Sequence, residues 1–181
     1  GDGRFVGFQS GATNLDASDA DAYADIYIHD RQGGMLILAS FGSRIPVLDG
    51  PDAVQPEISD DGTRVAFLGS NLTNDAVYPT NVYVYDRIAG TTTLASVTQT
   101  NVPSNENCTD PVLSSNGRLV AFSSQSAGFL PAPPLLSPQI FLKNLMTGEL
   151  TLVSQNAAGE RGNESSTMPS MASGAARPTV P

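Results

Sequence analysis

Pro56-Glu57-Ile58-Ser59-Asp60-Asp61-Gly62-Thr63-Arg64-Val65-Ala66-Phe67, followed after a gap by Asn81-Val82-Tyr83-Val84-Tyr85-Asp86-Arg87-Ile88-Ala89-Gly90, decides the fold, because its parts recur in order along the chain. Asp61 to Phe67 is matched by Asp2-Gly3-Arg4-Phe5-Val6-Gly7-Phe8 and by Asn116-Gly117-Arg118-Leu119-Val120-Ala121-Phe122. The block from Asn81 is matched by DIYIHDRQGG from Asp25 and QIFLKNLMTG from Gln139. A third block follows each, ending LILAS at Ser40, TTLAS at Ser96 and LTLVS at Ser154. The leading Pro56 to Ser59 returns as Pro111-Val112-Leu113-Ser114 and once more as Pro169-Ser170-Met171. The turn glycines Gly3, Gly62 and Gly117 lie 59 and 55 residues apart. Four blocks in fixed order at that period mark a repeat architecture.

Each block reads as a strand. Ile26 and Ile28 alternate with Tyr27 and His29, Val82 and Val84 with Tyr83 and Tyr85, and Ile140 and Leu142 with Phe141 and Lys143. Apolar residues on both faces suit sheets packed on both sides. Asp-Gly and Asn-Gly ahead of the second strand are hairpin signals. Gly34, Gly90 and Gly148 mark the turn between the third and fourth strands. No stretch carries a persuasive helical period. Four antiparallel strands per repeat, stacked repeat on repeat, make the blade of a β-propeller. The expected organisation is blade 1 over 1–50, lacking its first strand, blade 2 over 51–105 and blade 3 over 106–164. Residues 165–181 then hold an extra first strand and a tail.

The run P-x-I-S-x-D-G-x-x-V-A-F and the later D-I-Y-I-x-D-R-x-x-G resemble the WD-like propeller repeat of TolB-type bacterial proteins. The resemblance covers about 150 residues in three copies. It implies a propeller, usually of six or more blades, in an exported or envelope-associated protein, periplasmic or extracellular, that binds partners without doing chemistry. Other propeller signatures are missing: no Trp-Asp pair exists, because the chain has no Trp. The sialidase-type Ser-x-Asp-x-Gly box fails on spacing, Gly62 standing three residues after Ser59. In the last copy Ser173-Gly174-Ala175-Ala176-Arg177-Pro178 replaces the V-A-F strand, and Pro178 and Pro181 would interrupt one.

Three blades span too small an arc to close. Two chains joined head to tail, each C-terminal strand completing the other's first blade, would give a six-bladed ring. The alternative is a piece of a longer propeller. The chain does not begin with Met and shows no basic-then-apolar leader, which reads as a processed chain or a fragment. Nine basic residues against 18 acidic give a net charge of −9, which speaks against nucleic acid as partner. No apolar run approaches the 18 or so residues of a spanning helix, so no membrane insertion is expected. The lone Cys108 has no partner for an internal disulfide. Sequons stand at Asn71, Asn107 and Asn163 and would matter only in a eukaryotic secretory route.

The connections between strands two and three run from Phe8 to Asp25, Phe67 to Asn81 and Phe122 to Gln139. Those between blades run from Ser40 to Pro56, Ser96 to Pro111 and Ser154 to Pro169. In an up-and-down sheet both sets emerge at one end, so that face is the expected binding face for a protein or peptide. The first loop places Asp16, Asp19, Asp21 and Asp25 within ten residues, a set able to hold Ca²⁺ or to be a solvated acidic loop. The matching second loop keeps Asn74 and Asp75. The third interleaves Phe129, Leu130, Leu135 and Leu136 with prolines, an apolar strip that contacts a partner or else folds over the ring opening or packs on the next subunit. No cofactor is otherwise expected.

Catalysis finds little support. The sole histidine, His29, is matched by Tyr85 and Lys143, a variable surface or inter-blade slot. No Gly-x-Ser-x-Gly elbow occurs. Asp60 and Asp61 fit a turn, and Asp30, Asp86 and Asn144 recur where a cap for the next turn is needed. Two function classes result: a non-catalytic binding or scaffolding propeller, or the substrate-gating propeller of a peptidase or hydrolase whose catalytic domain lies elsewhere. A downstream Gly-x-Ser-x-Gly domain in the parent reading frame would favour the second.

Overall fold

A computed structural model describes residues 2–19, 23–40, 53–70, 72, 79–130 and 137–172. They form an all-β structure of three antiparallel sheets. The first contains β1 (Phe5–Ser10), β2 (Asp25–Asp30) and β3 (Leu36–Leu38). The second contains β4 (Val54–Ile58), β5 (Arg64–Gly69), β6 (Asn81–Asp86) and β7 (Thr91–Leu94). The third contains β8 (Cys108–Leu113), β9 (Leu119–Ser124), β10 (Gln139–Asn144) and β11 (Leu150–Leu152). Each sheet is a meander in chain order. A single 3₁₀ turn, Ala127–Phe129, is the one helical element among the described residues.

Period-two alternation divides the inner strands of the second sheet between two interfaces. Val65, Phe67, Tyr83 and Tyr85 of the second sheet pack with Ile26 and Ile28 of the first. Their alternates Ala66, Leu68, Val82 and Val84 pack with Val120, Phe122 and Phe141 of the third. The core therefore lies between sheets, one cluster per interface, and none is contained within a sheet. Lys143, the chain's only lysine, is buried in the second interface. Its ammonium on β10 donates to the carbonyls of Val97 (2.9 Å), Thr98 (3.3 Å) and Gly148 (2.8 Å), which ties the third sheet to the loop leaving the second. A buried cation needs such partners.

Polar motifs repeat as faithfully as the apolar ones. The first residue of each third strand, Asp25, Asn81 or Gln139, accepts a bond from the hydroxyl of Ser40, Ser96 or Ser154. The same hydroxyl oxygen accepts the next backbone N–H, that of Ile26, Val82 or Ile140. At the other end Asp30, Asp86 and Asn144 each accept two amides of the following turn. The first-strand hairpin is held by Ser59, whose hydroxyl donates to Asp61 Oδ1 at 2.7 Å and accepts the Arg64 amide. Ser114, Asn116 and Leu119 repeat that arrangement.

The hairpin glycine has a second duty between sheets. Gly62 stands at φ +65°, and an added Cβ would lie 2.1 Å from Cδ2 of Phe5 on the preceding sheet. Phe5 is further held under the guanidinium of Arg87, 4.3 Å from its centroid. At the repeat-equivalent position Arg64 approaches Gly117, where a Cβ would meet its side chain at 3.3 Å.

Two stability outcomes follow from these contacts. Gly90 has the same left-handed backbone, φ +66°, with open space around it. Gly90→Ala should therefore cost only the left-handed penalty, about 1–2 kcal/mol. Gly62→Ala should cost a further ~1–3 kcal/mol from the clash, and in denaturant titrations that excess should shrink when Phe5→Ala is added.

The second concerns acid. Arg4 donates through Nε and Nη2 to the two oxygens of Asp30, at 3.0 and 2.7 Å. Those bonds hold the Asp30 carboxyl well below the usual carboxylate range, against the opposing effect of desolvation, and the Gly33 and Gln32 amides reinforce them. A carboxyl depressed in the folded state stabilises above its unfolded value of about 3.9, and that contribution fades as pH falls toward the folded value. Asp30→Asn keeps the turn cap, as Asn144 does in the third sheet, and removes the ion pair. Its melting temperature should fall below that of the parent at pH 7, and the gap should begin to close below about pH 4.

Candidate functional site

The sheets have two unlike ends. At one, short turns join strands one to two and three to four, and side chains bond the turns together: Arg31 Nη1 donates to Gly3 O and Arg87 Nε to Gly62 O, both at 2.8 Å. At the other end the meander places every long connection. Parts of those connections are themselves ordered, with isolated bridges Val97–Pro103 and Gln155–Arg161 closing small hairpins between repeats. A groove of about 680 Å³ lies beside the second hairpin, lined among others by Gln155, Asn156, Glu160, Arg161 and Asn163.

Among the described residues no three His, Cys, Asp or Glu side chains are grouped as metal ligands. Of the Ca²⁺ set expected from sequence, Asp16, Asp19 and Asp25 are described and Asp21 lies outside the described residues. Each described carboxylate has a hydrogen-bond partner of its own. Asp25 belongs to the Ser40 clamp. Asp16 Oδ1 accepts the Ser18 amide and hydroxyl, which together hold its carboxyl below the usual range. Asp19 is buried and accepts the Tyr27 hydroxyl at 2.6 Å, while its Oδ1 has no hydrogen-bond partner. Burial, then the bond to Asp19, pushes the Tyr27 hydroxyl far up.

Of the apolar third loop, Phe129 and Leu130 are partly buried. Phe129 stands edge-on to Phe141 and Phe122, with centroids 5.1 and 6.0 Å away, and Leu130 packs against the same core. Aromatic packing on the third sheet outweighs exposure to solvent. Leu135, Leu136, Asn74 and Asp75 lie outside the described residues. Cys108 is buried, and burial pushes its thiol up, the opposite of what a nucleophile needs.

A feature the sequence reading passes over sits where first strands converge. Gln55, Asp110 and Met168 each precede a proline and each adopt a left-handed backbone, φ 56°, 54° and 55°. In β4 and β8 the ladder register shifts at this point, so the residue before proline is the extra residue of a β-bulge. Proline, which has no N–H to donate, is tolerated at a bulge. These three sites, with Glu57 and Val112, line one cavity of about 380 Å³. Glu57 and Asp110 bring carboxylates to its lining and Pro56, Pro111 and Pro169 apolar surface. The recurrent X-Pro pair was the available signal, but nothing in a sequence says that three of them face one axis.

No family model and no curated protein matches the chain. Solved structures do. TolB from Acinetobacter baumannii superposes with a TM-score of 0.52 at 15% identity, over 88% of this chain and 32% of TolB. The β-propeller domain of the Trilobed protease from Pyrococcus furiosus gives 0.51 at 13% identity, over 82% of this chain and 38% of that one. The tricorn protease gives 0.51 at 13% identity, over 85% of this chain and 12% of that one. The chain thus spans about a third of TolB. Its fold is that of a TolB-type β-propeller.

Proposed function

We propose that this chain is a non-catalytic binding or scaffolding propeller of an exported or envelope-associated bacterial protein, and that it engages its partner with the long-connection end. The observation that carries the reading is the asymmetry between the ends. Side chains cross-bond the short turns, spending their polar groups within the fold. The opposite end carries all the length and variety of the chain, including the groove beside Gln155–Arg161. Such loops on a rigid scaffold are where binding usually resides. The net charge of −9 favours a cationic partner surface.

A second reading has one observation behind it. The chain is similar to propeller domains of proteases, the Trilobed protease among them. It would then gate substrates for a catalytic domain elsewhere, and an unfolded peptide would bind where a folded protein does not.

Charge reversal separates the ends. The immobilised chain is exposed to an envelope extract, and captured proteins are quantified by mass spectrometry. Asp16→Arg with Glu106→Arg and Glu164→Arg, all on long connections, should reduce capture at least tenfold. Ile88→Arg with Glu149→Arg, on the short turns, should leave it unchanged. The reverse pattern would overturn the choice of face, and hydrolysis of an unfolded peptide by the purified chain would overturn the non-catalytic reading.

A further inference from the structure

The first long connection buries a carboxylate without completing its bonds. Asp19 is 7% exposed, and its Oδ2 accepts the Tyr27 hydroxyl at 2.6 Å. Its Oδ1 is buried and has no hydrogen-bond partner. Tyr27 cannot supply both oxygens, since a phenol has one proton to donate. The ring is fixed as well, fully buried and stacked on Phe8 with centroids 5.6 Å apart. A carboxylate taken out of water and left ionised is paired, hydrogen-bonded or bound to a metal.

More negative charge stands around the same point. The Asp19 amide donates to Asp16 O at 3.2 Å, closing a turn that keeps the two acids together. Asp16 takes the Ser18 amide and hydroxyl on Oδ1, so Ser18 leaves Oδ2 unengaged. Asp25 is buried at the start of β2 in the Ser40 clamp. After burial and the bond to Asp19, the charges of Asp19, Asp25 and Asp16 each push the Tyr27 hydroxyl up, so all three carboxylates act on one ring tip. The described arginines of this repeat, Arg4 and Arg31, are at the opposite, short-turn end, bonded to Asp30 and Gly3 O.

We propose that Asp19 Oδ1, with the Asp16 carboxylate beside it, binds Ca²⁺ in the first long connection. An ion is the occupant that fits, because a side chain brought by another molecule does not reach a buried oxygen. Ca²⁺ takes about six to eight oxygens in irregular geometry and accepts backbone carbonyls and water beside carboxylates, whereas Mg²⁺ demands a near-ideal octahedron. Two carboxylates of one turn serve as its charged ligands, which agrees with the absence of three grouped ligand side chains among the described residues. Asp25 adds negative charge from behind and stays in its clamp. In the third repeat the ring matching Tyr27 is Phe141, which has no hydroxyl to hold an acid in place. The site stands on the first repeat alone and does not rest on which end meets a partner.

The test is titration calorimetry and thermal melting of the chain after treatment with chelator. Ca²⁺ at roughly 1 mM, the range of extracellular modules, should give a one-site binding isotherm and raise the melting temperature, further with each tenfold increase in Ca²⁺. Asp19→Asn keeps an acceptor for Tyr27 and should lose the response. Asp16→Asn keeps the Ser18 bonds, sits on a half-buried turn that tolerates the change, and should raise the dissociation constant at least tenfold. Asp2→Asn, at the short-turn end, should leave binding as it is in the parent. A parent chain whose heats and melting temperature ignore Ca²⁺ would overturn the proposal. So would a parent-like response in either Asp19→Asn or Asp16→Asn. An equal response to Mg²⁺ would overturn the choice of ion.

Discussion

The second sheet depends on having another sheet against each of its faces. The inner strands bury both sets of alternating side chains, so Val65 and Phe67 are satisfied by one neighbour and Ala66 and Leu68 by the other. A single four-stranded meander with two apolar faces has no stable state alone in water. Packing between repeats is therefore the interaction from which the rest follows, including the period of the sequence. Glycine at 62 and 117 is part of the same constraint, since the neighbour's Phe5 or Arg64 comes where a side chain would otherwise stand.

Polar groups are arranged around that packing and hold its edges. The Ser-to-Asp, Asn or Gln clamp fixes one end of the third strand and the Asx cap fixes the other, with acid, amide and longer amide interchanged freely. That interchange shows that the position needs an acceptor and no charge. It also explains why Asp25, which looks like a metal ligand in a run of acids, is a structural residue. Lys143 is the reverse case, a charged residue in a slot filled elsewhere by Tyr85 and His29, and three carbonyls in the interface make it tolerable.

The asymmetry between the ends has a simple origin. A meander returns every second connection to the same end, and tight turns there leave the side chains of Arg31 and Arg87 close enough to bond neighbouring turn carbonyls. The long connections, freed from that geometry, vary from repeat to repeat. The convergence of Gln55, Asp110 and Met168 is the corresponding feature along the axis. Holding a non-glycine residue in the left-handed region costs free energy, and here it recurs at each docked first strand.

The sequence by itself determined the strand order and the short turns, because hydrophobic alternation, turn glycines and period are local properties carried by consecutive residues. It determined too that Asp30, Asp86 and Asn144 are caps, since capping acts over two or three residues. Tertiary structure alone decided the fate of side chains whose partners lie outside their own strand or turn. It put Phe129 on the third sheet's aromatic core, gave Asp19 to Tyr27, and set Lys143 among carbonyls of the preceding repeat. It also brought Gln55, Asp110 and Met168 to one cavity and laid Ser166 on Pro138. Composition cannot report such neighbours, because burial and pairing depend on how sheets stack and connections fold back, over separations from 8 residues for Asp19 and Tyr27 to 55 for Gln55 and Asp110.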